Sequence, residues 1–186
     1  MKYGYVINVT ALDRPGIVAG VSSAIDKVKG NIESCSQTVL DGYFTLIMTF
    51  STPEYCEPEA LRAKVLEEKG MENCQAILFE SAKDVKQSLP SDVNSYVISA
   101  FGKDSEGIVA QFSRYLCEKQ INIIDLYGNI TQDGEFVLIG QVEVDPKLDL
   151  KVIQYDLEAL GEEVGFTVRI QHNKVFVATN QIRLNR

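Results

Sequence analysis

The chain has 186 residues and a formal net charge of −8 at pH 7, a balance that repels nucleic-acid phosphates and argues against direct DNA or RNA binding. With 45% hydrophobic and 24% charged residues it has the make-up of a globular protein, and no apolar run reaches the roughly 20 residues that span a bilayer. The first residues pass straight into a strand pattern without the basic, apolar and small-residue segments of a leader, so a cytoplasmic location is expected.

Ile7, Val9 and Ala11 alternate with Val6, Asn8 and Thr10, the period of a strand with one face on a core. A turn through Pro15 and Gly16 then opens a helix whose apolar face holds Ile17, Val21, Ala24, Ile25 and Val28. Gly30 is expected to end that helix in the left-handed conformation, and a strand starts at Asn31 and Ile32. Asp41-Gly42 suits the positive φ angles of a tight primed turn, so the next run folds back as a hairpin with Phe44, Leu46, Met48 and Phe50 inward. Pro58 to Lys69 reads as a second helix with proline at its start, and Ile77 and Phe79 mark a fourth strand.

Polar residues broken by Pro90 follow from Ser81 to Ser95, and then the chain repeats itself. Asp13, Gly16, Ile17, Val18, Ala19 and Asn31 recur as Asp104, Gly107, Ile108, Val109, Ala110 and Asn122, at a constant offset (104 − 13 = 91). Ile98 and Ala100 renew the first strand, and Ile108, Phe112, Tyr115 and Leu116 the helix face. Ile121 stands where Gly30 stood, so a different helix end is expected. Asp133-Gly134 again predicts a primed hairpin, with Phe136, Leu138, Gly140 and Val142 inward but one residue out of register with the first copy, as a one-residue change in hairpin length would produce. Leu150 to Glu163 reads as a helix and Val168 with Ile170 as a last strand.

Strand, helix, strand, strand, helix, strand is the ferredoxin-like order: an α+β class in which each βαββαβ module is a four-stranded antiparallel sheet with two helices on one face. The expected organisation is therefore residues 1–82 as one domain, 83–94 as linker, 95–173 as a second domain and 174–186 as a tail that forms either a short helix or an added strand.

Cys35, Cys56, Cys74 and Cys117 are widely spaced and form no C-x-x-C pair; they are expected as reduced, buried structural thiols. His172, the single histidine, reads as a strand-end or tail residue, which leaves little for a histidine-based triad or metal site. Gly102 to Gly107 has the glycine spacing of a P-loop, but Ile108-Val109 occupy the positions of the Lys-Ser/Thr pair that contacts phosphate and magnesium. No cofactor, metal or enzymatic activity is expected.

The repeated turns are the candidate sites. A free amino acid needs donors for its carboxylate and acceptors for its ammonium. Backbone N–H groups around Gly16 and Ile17, and around Gly107 and Ile108, offer the donors at the positive end of a helix, while Asp13 and Asp104 offer the acceptors. The same aspartates also suit helix capping, and Asn31 and Asn122 also suit a turn at a strand start.

Asp13-Arg14-Pro15-Gly16-Ile17 with Asn31-Ile32 downstream, inside a βαββαβ unit, resembles the ACT domain, the small module that binds amino acids in biosynthetic enzymes and regulators. Two such units without a catalytic domain resemble the tandem-ACT regulators that include the glycine cleavage system repressors. The resemblance implies a non-enzymatic regulatory protein with an amino acid bound between paired modules, a homodimer, and a link to transcription only through a DNA-binding partner. It implies a crossed site too, Asn122 completing the turn at Asp13 and Asn31 the turn at Asp104. In the second turn Ser105-Glu106 replaces Arg14-Pro15, which adds a negative charge and removes the fixed φ of proline, so the two sites are expected to be unequal. The other reading from the residues is an interaction or dimerisation module with no small ligand, using its exposed sheet faces or edges.

Overall fold

In the computed structural model, which describes residues 2–81 and 94–181, the alternation at Ile7, Val9 and Ala11 is that of β1 (Tyr3–Leu12), the strand at the heart of the first sheet. After it come α1 (Ile17–Lys27), β2 (Asn31–Leu40), β3 (Tyr43–Thr52), α2 (Pro58–Leu66) and β4 (Gln75–Glu80). All neighbours are antiparallel and the order is β2-β3-β1-β4. One face of the sheet, with Tyr5, Ile7, Val9, Leu46, Met48 and Phe50, packs on Ile17, Val21 and Ile25 of α1 and Leu61 and Val65 of α2. Tyr5 is fully buried and its hydroxyl is satisfied: it donates to the Cys56 carbonyl at 2.9 Å and accepts from the Cys56 N–H at 2.8 Å.

The second unit repeats the plan with β5 (Ser95–Lys103), α3 (Ile108–Glu118), β6 (Asn122–Ile130), β7 (Glu135–Glu143), α4 (Leu150–Glu163) and β8 (Phe166–His172). Its sheet order is β6-β7-β5-β8, and its own core is centred on Ala100, Phe112, Val142 and Leu157. The start of the tail is a helix, α5 (Asn173–Gln181), which returns against β5 and β8. The predicted linker lies outside the described residues except for Asn94.

Several local expectations need correction. α2 stops at Leu66, three residues short of Lys69. β4 forms where Ile77 and Phe79 mark it, with Ala76 and Leu78 entering the core and Ile77 and Phe79 exposed on the opposite face. Asp41 and Gly42 do take positive φ, 51° and 81°, in a two-residue turn. In the second hairpin only Gly134 does, at 77°, because Thr131 pairs with Glu135 (N–H to carbonyl, 2.7 Å) around the three residues 132–134. That extra residue produces the register offset seen in the sequence.

The helix ends also differ from expectation, and they agree with each other. Lys29 (φ 55°) is the left-handed residue after α1, and Gln120 (φ 56°) its counterpart after α3. In both, the next N–H reaches back to close the helix, Gly30 to the Ile25 carbonyl at 2.9 Å and Ile121 to the Leu116 carbonyl at 2.8 Å. Gly30 is required by crowding instead: a Cβ there would meet Ile25 Cγ2 at 2.6 Å. Leu116 carries no branch at Cβ, and the second copy accommodates Ile121. Nor are the cysteines buried. Cys35 and Cys117 are exposed, Cys56 and Cys74 half-buried, and all four are free thiols.

Candidate functional site

Between the end of β1 and the start of α1 the chain turns through Asp13, Arg14, Pro15 and Gly16. The Asp13 N–H donates to the Gly42 carbonyl at 2.9 Å, which pins the turn to the hairpin. Gly16 takes φ 107° and ψ −20°, a left-handed geometry natural only to glycine, and heads the helix. The first main-chain bond of α1 runs from the Gly20 N–H to the Gly16 carbonyl at 2.9 Å, so the N–H groups of Ile17, Val18 and Ala19 have no acceptor within the helix. No side chain caps them and no acidic residue stands in the first turn. Asp13 therefore does not act as the N-cap; its carboxylate is exposed beside uncompensated positive helix charge.

The turn forms one side of an open depression of ≈ 300 Å³, completed by Gln37 of β2 and Phe44 of β3. Asp13, Arg14, Pro15, Gly16 and Ile17 are thus gathered around one hollow. Gln37 was not anticipated. Its signal in the sequence is its parity with the strand residues that face the helices, since Gln37 pairs with the core residue Leu46.

Arg14 is spent on holding the turn. Its guanidinium donates to the Leu12 carbonyl at 3.2 Å, the Gly70 carbonyl at 3.3 Å, the Glu72 carbonyl and the Cys74 thiol at 3.4 Å. The loop it grips is itself tied, because the Glu72 carboxylate accepts from backbone N–H groups, its own and that of Gly70, which hold its pKa below the usual carboxylate range. Gly70 (φ 92°) lies directly on Gly16: a Cβ added to it would stand 2.8 Å from the Gly16 carbonyl oxygen.

The second turn shares the helix geometry and lacks the buttress. Gly107 (φ 83°) heads α3, the Gln111 N–H donates to its carbonyl at 3.0 Å, and again no side chain caps the helix. Asp104, Glu106 and Gly107 are exposed, while Ile108 is buried. Ser105, in the place of Arg14, has a buried hydroxyl with no hydrogen-bond partner among the described residues. A Cβ on Gly107 would meet open space. The physical reason is a loop that the second unit does not have: residues 67–74 separate α2 from β4, but only residues 164–165 separate α4 from β8.

The asparagines lie away from their own turns. Asn31 pairs with Ser51, which pairs with Gly4, whereas the turn follows Leu12, eight residues further along β1. At a strand rise of ~3.3 Å per residue the separation is about 26 Å. Asn122, pairing through Glu143 to Ser95, is equally far from Asp104 beyond Lys103. Neither unit by itself brings an Asn to its Asp.

The model of the ACT domain matches residues 5–77 and 94–171. Among curated proteins, the chain is 37% identical over 87 residues to a UPF0237 protein of Methanocaldococcus jannaschii, covering 46% of this chain and 96% of that one. It is 49% identical over 86 residues to a UPF0237 protein of Streptococcus pneumoniae, covering 46% and 97%. Two solved structures share the fold over most of the chain. One is a protein from Galdieria sulphuraria, with TM-score 0.74, 23% identity, and 92% and 98% of the two chains covered. The other is a candidate glycine cleavage system transcriptional repressor, with TM-score 0.63, 19% identity, and 93% and 99% covered. The chain belongs to the ACT-domain family and carries its fold twice.

Proposed function

We propose that this protein is a non-catalytic regulator that binds a small amino acid, or a molecule of like chemistry, at the turn between β1 and α1. The observation that carries the reading is the row of uncapped N–H groups at Ile17, Val18 and Ala19, opening beside the exposed Asp13 carboxylate into the ≈ 300 Å³ depression. A carboxylate fits the N–H groups and the helix dipole, and an ammonium fits Asp13. Pro15, Gly16 and Ile17 shape the floor; Arg14 positions the turn without contacting the ligand. We extend to this site the crossed pairing that the ACT resemblance implies, Asn122 for the turn at Asp13 and Asn31 for the weaker turn around Asp104, Glu106, Gly107 and Ile108.

Occupancy changes function by favouring one state of pairing with a second chain or with a regulatory protein, which requires different affinities for the two states. The solved structure of a candidate glycine cleavage system transcriptional repressor supports a role in transcription exercised through a DNA-binding partner, since a net charge of −8 disfavours direct DNA contact. The location consistent with this role is the cytoplasm.

A thermal-denaturation screen against the common amino acids tests the reading. A ligand at 100 times its dissociation constant stabilises by about 2.7 kcal/mol, and the shift should disappear in Asp13→Ala. A screen in which no amino acid moves the transition sinks it.

A further inference from the structure

The helix-free face of the first sheet carries a surface built unlike the matching face of the second sheet. Leu12, Leu40, Tyr43, Ile47, Ile77 and Phe79 share that face by strand register and are each between 48% and 65% exposed. Between them the paired positions are filled by Thr, Ser, Asn, Gln, Val and Gly, and none of the paired positions on that face is charged, in a chain that is 24% charged overall. Taking ~200 Å² for a large side chain in the open, the six expose about 700 Å² of mostly apolar surface, above what an ordinary monomer shows in one patch.

Charge decides the occupant. An uncharged face can be covered without loss only by a surface that buries no unpaired charge. The corresponding face of the second unit is excluded as that partner, because Lys103, Asp125, Glu135, Glu143 and Arg169 fall on it. The same face of another copy satisfies the requirement, since it brings only apolar, hydroxyl and uncharged amide groups and is complementary to itself about a twofold axis. Two copies together contribute about 1,400 Å², within the range of a specific stable interface, and two twisted sheets pack face to face with their strands roughly aligned.

We propose that the helix-free face of the β2-β3-β1-β4 sheet is a self-association surface, on which two chains pack through their first units. The inference is independent of the ligand reading and stands or falls without any amino acid present.

Sedimentation equilibrium of the full chain tests it. A particle of twice the 20.7 kDa chain mass is expected at micromolar concentration. Ile47→Lys with Ile77→Lys should place like charges against each other across the axis and weaken the dimer at least about 100-fold. The milder pair Ile77→Thr with Phe79→Thr, read in case the lysine pair disturbs the fold, should weaken it about 10-fold with an unchanged circular dichroism spectrum. Phe101→Lys, on the second unit, should leave the dimer intact. A wild-type chain that stays monomeric up to ~100 μM, or a dimer that persists undiminished in both double variants, overturns the proposal.

Discussion

Gly70 lies backbone to backbone against Gly16, so close that a Cβ on Gly70 would come within 2.8 Å of the Gly16 carbonyl oxygen and 3.0 Å of its carbonyl carbon. The contact makes the loop after α2 the floor on which the helix-opening turn rests, and Arg14 reaches across the same junction. Gly70→Ala must then introduce both a backbone clash and a side chain at φ 92°. Strain of this kind costs about 1–3 kcal/mol. Gly165, at φ 77° but facing open space, provides the control: Gly165→Ala should cost only the ~1 kcal/mol of the left-handed conformation. Urea denaturation of the two variants measures the difference, and equal losses would mean that the junction carries no strain.

Tyr115 gives a pH-dependent prediction for the second unit. Its hydroxyl donates to Asp156 Oδ2 at 2.9 Å, and burial, reinforced by that hydrogen bond and the Asp156 charge, pushes the phenol well above its ordinary pKa. Folding thus favours the neutral phenol. The stabilisation is complete below the unfolded value of ~10 and is lost as pH rises beyond it, because the unfolded chain then ionises first. Tyr115→Phe should cost about 1 kcal/mol at neutral pH and should flatten the fall in stability above pH 10. A parallel fall in wild type and variant would show that Tyr115 does not contribute to it.

Gly30 yields a third test, and the repeat supplies its rescue. Gly30→Ala brings a methyl group against Ile25 Cγ2, which stands 2.6 Å from the Cβ position. A loss of about 1–3 kcal/mol is expected from overpacking. Adding Ile25→Leu, the residue type found at Leu116 beside Ile121, should recover part of it. A double-mutant cycle in denaturant reads the coupling; strict additivity would place the strain in the Ile25 carbonyl contact instead.

The element order and the inward strand residues were legible because period-two burial on β1 and β3 and the apolar face of α1 are written in consecutive residues. What misled were positions where one residue type serves two physical ends. Gly30 signalled a left-handed cap, yet Lys29 took that conformation and the glycine relieved a side-chain collision. Asp133-Gly134 signalled a pair of positive φ angles, but in the turn, longer by the one residue that the register offset implied, only Gly134 takes one. Asp13, Gly16 and Ile17 of the depression's lining were legible from the repeat. Gln37 and the Arg14 grip on Gly70 and Glu72 were not, because both depend on residues brought together from distant parts of the chain.

Asn122 offers the sharpest test of how a complete ligand site is assembled. Each Asn stands at the opposite end of its sheet from its own unit's turn, about 26 Å away by strand rise, so it cannot contact a small ligand held there. Under the crossed pairing proposed above, Asn122→Ala must weaken the binding of a ligand held at the turn of Asp13. Removing one hydrogen bond to a charged ligand group costs about 1.5–3 kcal/mol, or roughly 10- to 150-fold in affinity. Asn31→Ala should leave that stronger site unchanged and act only on the turn at Asp104. Calorimetric titration of both variants with the amino acid found in the thermal screen separates the cases. An Asn122→Ala protein that binds as tightly as wild type, while Asp13→Ala does not bind, would confine the site to the first unit.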